Sequence, residues 1–123
     1  MASVNLFTYS SSPIPLHSGI TSHWKIDCDA LTEHDWECLA AMAAEIAPPF
    51  HSVLGVPRGG FKFASALKKY RRADSDHTLL VDDVLTTGRS MEHWRLRNDV
   101  GLVVFARGKC PDWVTPLFQM PTP

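Results

Sequence analysis

The sequence lacks most of the marks by which a chain announces a compartment or a metal. Its three cysteines, Cys28, Cys38 and Cys110, are odd in number and show no C-x-x-C spacing. They suit reduced thiols in the cytoplasm better than a disulfide framework or a zinc site. The six histidines are scattered without an H-x-x-x-H or H-x-H pair, so side chains alone are not expected to hold a metal. No apolar run approaches the roughly 20 residues that span a bilayer, and Met1 to Ser12 lacks the basic and apolar regions of a signal peptide. We therefore expect no membrane partner and a cytoplasmic location. Charge of one sign is also missing. The net charge is −1, whereas a general nucleic-acid binder carries a basic excess, so no nucleic-acid partner is expected.

What is present is the composition of a soluble globular protein. Hydrophobic residues make up 45% of 123, which fits one domain with one core. Residues 1–16 are rich in Ser and Pro and read as an irregular arm. A short strand is expected near Trp24-Lys25-Ile26. We take 1–30 as an N-terminal arm and 31–123 as the core of a single domain. Thr32 and Asp35 form a capping-box pattern. Trp36, Leu39, Ala40, Ala43 and Ala47 follow at helical spacing, and Pro48-Pro49 ends the helix.

Beyond this point apolar strands alternate with helices. Ser52 to Val56 reads as a buried strand, Phe61 to Tyr70 as a helix with Phe61, Ala64 and Leu67 inward, and Thr78 to Val81 as a second strand. A helix over about Ser90 to Arg97, a strand over Gly101 to Ala106 and a fourth strand near Val114 to Phe118 complete the pattern. Such alternation predicts an α/β fold with a small, mainly parallel sheet flanked by helices. Ligands in these sheets bind beyond the carboxyl ends of the strands. Two turns fall there.

The second of these turns carries the strongest chemistry. Thr86-Thr87-Gly88-Arg89-Ser90 joins a strand to a helix, and its hydroxyls and free amides suit a phosphate. Asp82-Asp83 precede it directly. Carboxylates repel phosphate, so they are expected to bind another part of the same ligand. Two acids accept hydrogen bonds from a ribose diol, directly or through a magnesium ion. A sugar 5-phosphate satisfies both halves. Rival motifs are absent: there is no G-x-x-x-x-G-K-[ST] and no G-x-G-x-x-G. A phosphoacceptor receiver domain would place its paired acids near the start of the chain, not two-thirds along it. In the first turn, Pro57-Arg58-Gly59-Gly60, glycines let amides approach an anion and Arg58 can grip it with two parallel hydrogen bonds.

Leu79 to Ser90 resembles the phosphoribosyl-pyrophosphate motif of the type I phosphoribosyltransferases. Members of that family move a ribose 5-phosphate from pyrophosphate to a nitrogenous base and require magnesium. The resemblance implies that Asp82 and Asp83 hold the ribose hydroxyls and, indirectly, the ion. It gives Thr86, Thr87, Gly88, Arg89 and Ser90 the 5-phosphate, and Pro57, Arg58, Gly59 and Gly60 the pyrophosphate. Leu16 to Trp24 is similar to the start of orotate phosphoribosyltransferases, where a segment containing the equivalents of Ser18 and Gly19 forms a hood over the base. Thr86 agrees with that subgroup, since 6-oxopurine enzymes carry an aspartate there. Pro111-Asp112-Trp113-Val114 is similar to the segment whose aromatic stacks on the base in purine-specific relatives. The implied substrates are phosphoribosyl pyrophosphate and a base, an orotate-like pyrimidine favoured, and the implied assembly is a homodimer.

Two departures stand out. His17 occupies the place of a lysine usual before the Ser-Gly pair. Only Arg71 to His77 fills the interval where family members carry a strand and a long flexible loop with catalytic basic residues. Lys68, Lys69, Arg71 and Arg72 are the nearest basic side chains that could substitute. The same features without that loop also suit a non-catalytic binder of the donor.

Overall fold

The computed structural model describes residues 4–96 and 99–123. Four parallel strands form the central sheet in the order of their sequence: β3 (Ser52–Gly55), β4 (Thr78–Leu85), β5 (Val100–Ala106) and β6 (Val114–Gln119). Their residues are apolar on both faces because both faces are covered. Leu79, Val81, Leu102 and Val104 pack against α1 (Glu33–Ile46) and α2 (Phe61–Leu67). Leu80, Val103, Ala106 and Val114 pack against Met91 of the six-residue α3 (Arg89–Trp94). The sheet is thus α/β, with helices on both sides.

This layout has a topological consequence. The crossovers β3-α2-β4 and β4-α3-β5 step in the same direction across the sheet, yet α2 and α3 lie on opposite faces. One of the two is therefore of the rare left-handed kind. The connection from α2 to β4 is short, and among the described residues no further strand lies outside β3.

The capping box of α1 forms as expected. The Asp35 amide donates to the Thr32 hydroxyl at 3.1 Å, and the Thr32 amide donates back to the Asp35 carboxylate at 2.8 Å. Trp36, Leu39, Ala40 and Ala43 are buried, and Ala47 leaves the helix just before the two prolines.

Several expectations need correction. The arm expected to be irregular contains a strand: Phe7–Pro15 is β1, paired antiparallel with β2 (Thr21–Ile26), while residues 1–3 lie outside the described residues. Its prolines are tolerated because each strand of a two-stranded sheet is an edge strand, where proline is admitted. A shift of register between Tyr9 and Ile14 accommodates the extra residues of Ser10 to Pro13. Phe61 does not point inward; it is 54% exposed, and fully buried Phe63 takes its place against Trp36 at 5.9 Å. The α-helix stops at Leu67, and Lys68–Tyr70 tightens into a 3₁₀ turn. The helix expected to run to Arg97 ends at Trp94; Arg97 itself lies outside the described residues. Finally, β4 continues four residues past Val81 and includes the acidic pair.

Candidate functional site

A cavity of about 780 Å³ opens where the sheet's carboxyl edge meets the hairpin β1–β2. Its size lies within the range of small-molecule sites. Its floor comes from the end of β4, Asp82 to Leu85, and its rim from the following turn, Thr86 to Ser90. Pro57, Arg58 and Gly59 of the turn after β3 form one wall. Leu16, His17 and Ser18, from the turn between β1 and β2, face them, and Arg107 closes the back.

The two turns meet through one glycine. A Cβ added to Gly59 would sit 2.5 Å from the Asp83 carboxylate, so only glycine lets the first turn lie against the acidic pair. Gly60 has a different task. Its amide donates to the Val56 carbonyl at 2.8 Å, and a Cβ there would strike the Val81 carbonyl at 2.5 Å. It packs the turn onto β4 and its amide is already used, so the structure does not bring it to the cavity. The Pro57–Arg58 peptide bond is cis. Gly88 takes φ +85° at the start of α3, a conformation that other residues rarely adopt. The Thr87 hydroxyl accepts from the Arg89 amide at 3.3 Å and shapes the same turn.

Asp82 is buried and Asp83 half-buried. Each gives one oxygen to the local backbone: the Asp83 amide donates to Asp82 at 2.8 Å, and the Val84 amide donates to Asp83 at 2.7 Å. Burial, reinforced by the neighbouring Asp83 carboxylate, pushes the Asp82 pKa up to about 8. Beneath it the buried Cys28 thiol is held well above its usual range, first by burial and then by the charge of Asp83. It is a packed core thiol rather than a nucleophile.

Among the described residues no three or more His, Cys, Asp or Glu side chains cluster as a metal site. Asp82 and Asp83 nevertheless supply the hard oxygen donors that magnesium prefers. Such an ion fits here only together with oxygens of its ligand.

Arg107 was not singled out in the sequence. It directly follows β5, whose carboxyl edge is also the edge that bears the site, and that position is the signal that marks it. It is 2% exposed, yet no carboxylate among the described residues lies within ion-pair distance. One terminal nitrogen donates to the Ser22 hydroxyl at 3.0 Å and the Trp24 carbonyl at 2.7 Å, while the guanidinium stacks on the Trp24 ring at 3.7 Å. Its Nε has no partner. Burial lowers its pKa.

Other sequence-derived candidates fall elsewhere. Gly19, at φ +91°, donates to the Leu16 carbonyl and shapes the turn that presents His17 and Ser18, without lining the cavity itself. Trp113 precedes β6 and lies at the amino edge of the sheet, opposite the cavity. Its indole donates to Glu92 at 3.0 Å, Arg95 lies 4.3 Å from its ring, and it packs against Gly101. The expected stacking on a base is not brought about. Lys68, Lys69, Arg71 and Arg72 line a separate concavity with His51, at the amino end of β3. Lys69 pairs with Glu37 and Arg72 with Asp74. A chain that leaves α2 and enters β4 must pass this end, so the short connector does not reach the site.

No family model matches the chain, and no curated protein matches it in sequence. Solved structures do. Orotate phosphoribosyltransferase from Aeropyrum pernix superposes with a TM-score of 0.66 at 23% identity, covering 84% of this chain and 76% of that one. UMP synthase of Leishmania donovani gives 0.64 at 18%, covering 83% of this chain and 29% of that longer one. The orotate phosphoribosyltransferase of Mycobacterium tuberculosis, in complex with inorganic phosphate, gives 0.57 at 19%, covering 83% and 77%. The chain has the type I phosphoribosyltransferase fold, in a form that resembles orotate phosphoribosyltransferase.

Proposed function

We propose that the chain is a single phosphoribosyltransferase-like domain, residues 1–30 forming the hood and 31–123 the core. It binds phosphoribosyl pyrophosphate with magnesium and transfers the phosphoribosyl group to an orotate-like pyrimidine. One observation carries this reading: the acidic pair and both anion-binding turns open into one cavity, with Gly59 seated on Asp83. A phosphate alone would not call for the carboxylates, and a sugar alone would not call for the Thr86 to Ser90 turn.

In this reading Asp82 and Asp83 accept hydrogen bonds from the ribose hydroxyls, and Thr86 to Ser90 hold the 5-phosphate. Arg58 lies beside the departing pyrophosphate and stabilises its charge. Magnesium, when bound with the donor, neutralises the same phosphates. Ser18 and His17 of the hood face the base, and buried Arg107 supplies a cation that favours an anionic one. The residues act mainly by position: ribose, leaving group and base are held in line, which lowers the barrier without a protein nucleophile. The free thiols and the absence, among the described residues, of a helix able to cross a membrane are consistent with a cytoplasmic setting.

The test is pyrophosphate release from the donor with magnesium across a panel of bases. We expect slow release with orotate above the level without a base. A second reading is favoured by the placement of Lys68, Lys69, Arg71 and Arg72 away from the cavity. Without a closing loop, water reaches the sugar cation and transfer is inefficient. Tight donor binding with no release on any base would make the chain a donor sensor or a subunit of a larger assembly.

A further inference from the structure

The basic side chains that the cavity leaves out gather elsewhere. Four of the chain's twelve lysines and arginines, Lys68, Lys69, Arg71 and Arg72, line an open concavity of about 420 Å³ with His51 and Ala73. Among the described residues no carboxylate lines it. Its backing is held by hydrogen bonds: the Arg72 amide donates to the Phe50 carbonyl at 2.8 Å, and the His51 amide to the His77 carbonyl at 2.8 Å. The Ser75 hydroxyl donates to the Pro49 carbonyl at 2.9 Å. Two of the four charges are countered, Lys69 by Glu37 and Arg72 by Asp74. Lys68 and Arg71 have no carboxylate within ion-pair distance among the described residues. Arg71 is nonetheless oriented. Its Nε donates to the Lys68 carbonyl at 2.9 Å, which covers an oxygen at the end of α2 that would repel an anion. Its terminal nitrogens stay uncommitted among the described residues.

We propose that this concavity is a second anion site, which binds a compact multivalent phosphate: the phosphate chain of a free polyphosphate or of a nucleoside triphosphate. A ligand that neutralises it must bring at least two negative charges close together, because two cations there stand uncountered. Arg71 offers a planar fork that grips two phosphate oxygens, and Lys68 adds a point charge beside it. The volume suits a small molecule. An extended polyanion suits it less. Glu37 and Asp74 stand beside the paired cations and repel a strand that runs past them, and the chain as a whole carries −1. The concavity lies at the amino end of β3, away from the carboxyl edge that bears the cavity, so the inference is independent of what the cavity binds.

Amide NMR shifts test this, since they report where a ligand sits. Inorganic triphosphate, titrated without magnesium at low salt, should move the amides of residue 51 and residues 68–73. It should do so whether or not it also moves those of residues 58–59 and 86–90 around the cavity. Lys68→Ser/Arg71→Ser should weaken binding at the concavity at least about tenfold and leave any shifts around the cavity as in the parent. Asp74→Asn releases Arg72 and should tighten binding about two- to threefold, a gain that a damaged fold would not produce. Raising the salt should weaken binding in every case. ATP separates the two sources. Affinity equal to that of inorganic triphosphate means that the phosphate chain alone is recognised, and affinity about tenfold higher makes a nucleotide the ligand. Triphosphate that leaves 51 and 68–73 unmoved overturns the proposal, as does unchanged binding in Lys68→Ser/Arg71→Ser or binding not tightened in Asp74→Asn. Orthophosphate bound as tightly as triphosphate overturns it too. Single-stranded DNA bound more tightly than triphosphate at the same amides would make the concavity a nucleic-acid surface and overturn it as well.

Discussion

Asp82 shows how much a single environment contributes. Its carboxyl is buried beside a second carboxylate, so the folded protein holds its proton long after the unfolded chain has released it. The sign follows from linkage. The stabilising contribution is fully present below the ordinary aspartate range, falls as the unfolded chain ionises, and is lost as pH rises through about 8. Asp82→Asn should therefore stabilise the empty protein at neutral pH, by on the order of 1 kcal/mol or more, and flatten its melting temperature against pH. Donor affinity in the parent should rise as pH increases towards 8, because ribose hydroxyls and magnesium prefer the ionised pair; the variant should lose that rise. Calorimetry across pH would reveal either failure. Gly59 gives a steric counterpart. Gly59→Ala puts a methyl group into Asp83, and we expect about 1–3 kcal/mol of destabilisation together with donor binding weakened at least about tenfold. An alanine variant that binds normally would mean that the two turns do not share one ligand.

At the scale of elements, the strands and the two turns were legible because apolar runs bounded by glycine and acid admit few structures. The order Leu79 to Ser90 showed its chemistry in one stretch. The end of β2 was legible at Trp24-Lys25-Ile26, but β1 was not, since Ser10 to Pro13 break the alternation that marks a strand and its pairing depends on residues 21–26. Phe61 and Phe63 both suit a helix, and only packing against Trp36 decides which is buried. Arg107 was missed because its one sequence signal, a place directly after a strand, does not tell a buried arginine from an exposed one; its burial comes from Ser22 and Trp24, more than eighty residues away. Trp113 failed for a topological reason, as it enters its strand at the edge opposite the site. The same topology removes the connector from the cavity. Replacing Lys68, Lys69, Arg71 and Arg72 together by serine should therefore leave donor affinity within about twofold of the parent, as expected for exposed charges remote from a ligand at ordinary salt. A loss beyond tenfold in a titration would place those residues at the site after all.

For the whole molecule, a parallel core presents two glycine-bearing turns and an acidic pair on one edge, and a separate hairpin covers that edge. In the proposed function, the covering is what relates the donor half of the cavity to the base half. The central claim is that one ligand spans the acidic pair and the phosphate turn. The most direct measurement is calorimetric titration of phosphoribosyl pyrophosphate with magnesium into the parent and into Asp82→Ala/Asp83→Ala. Each lost charged hydrogen bond is worth roughly 1.5–3 kcal/mol, so the account predicts donor binding in the parent and a loss of well over tenfold in the double variant. Equal affinity in the two proteins, with both folded, would contradict it.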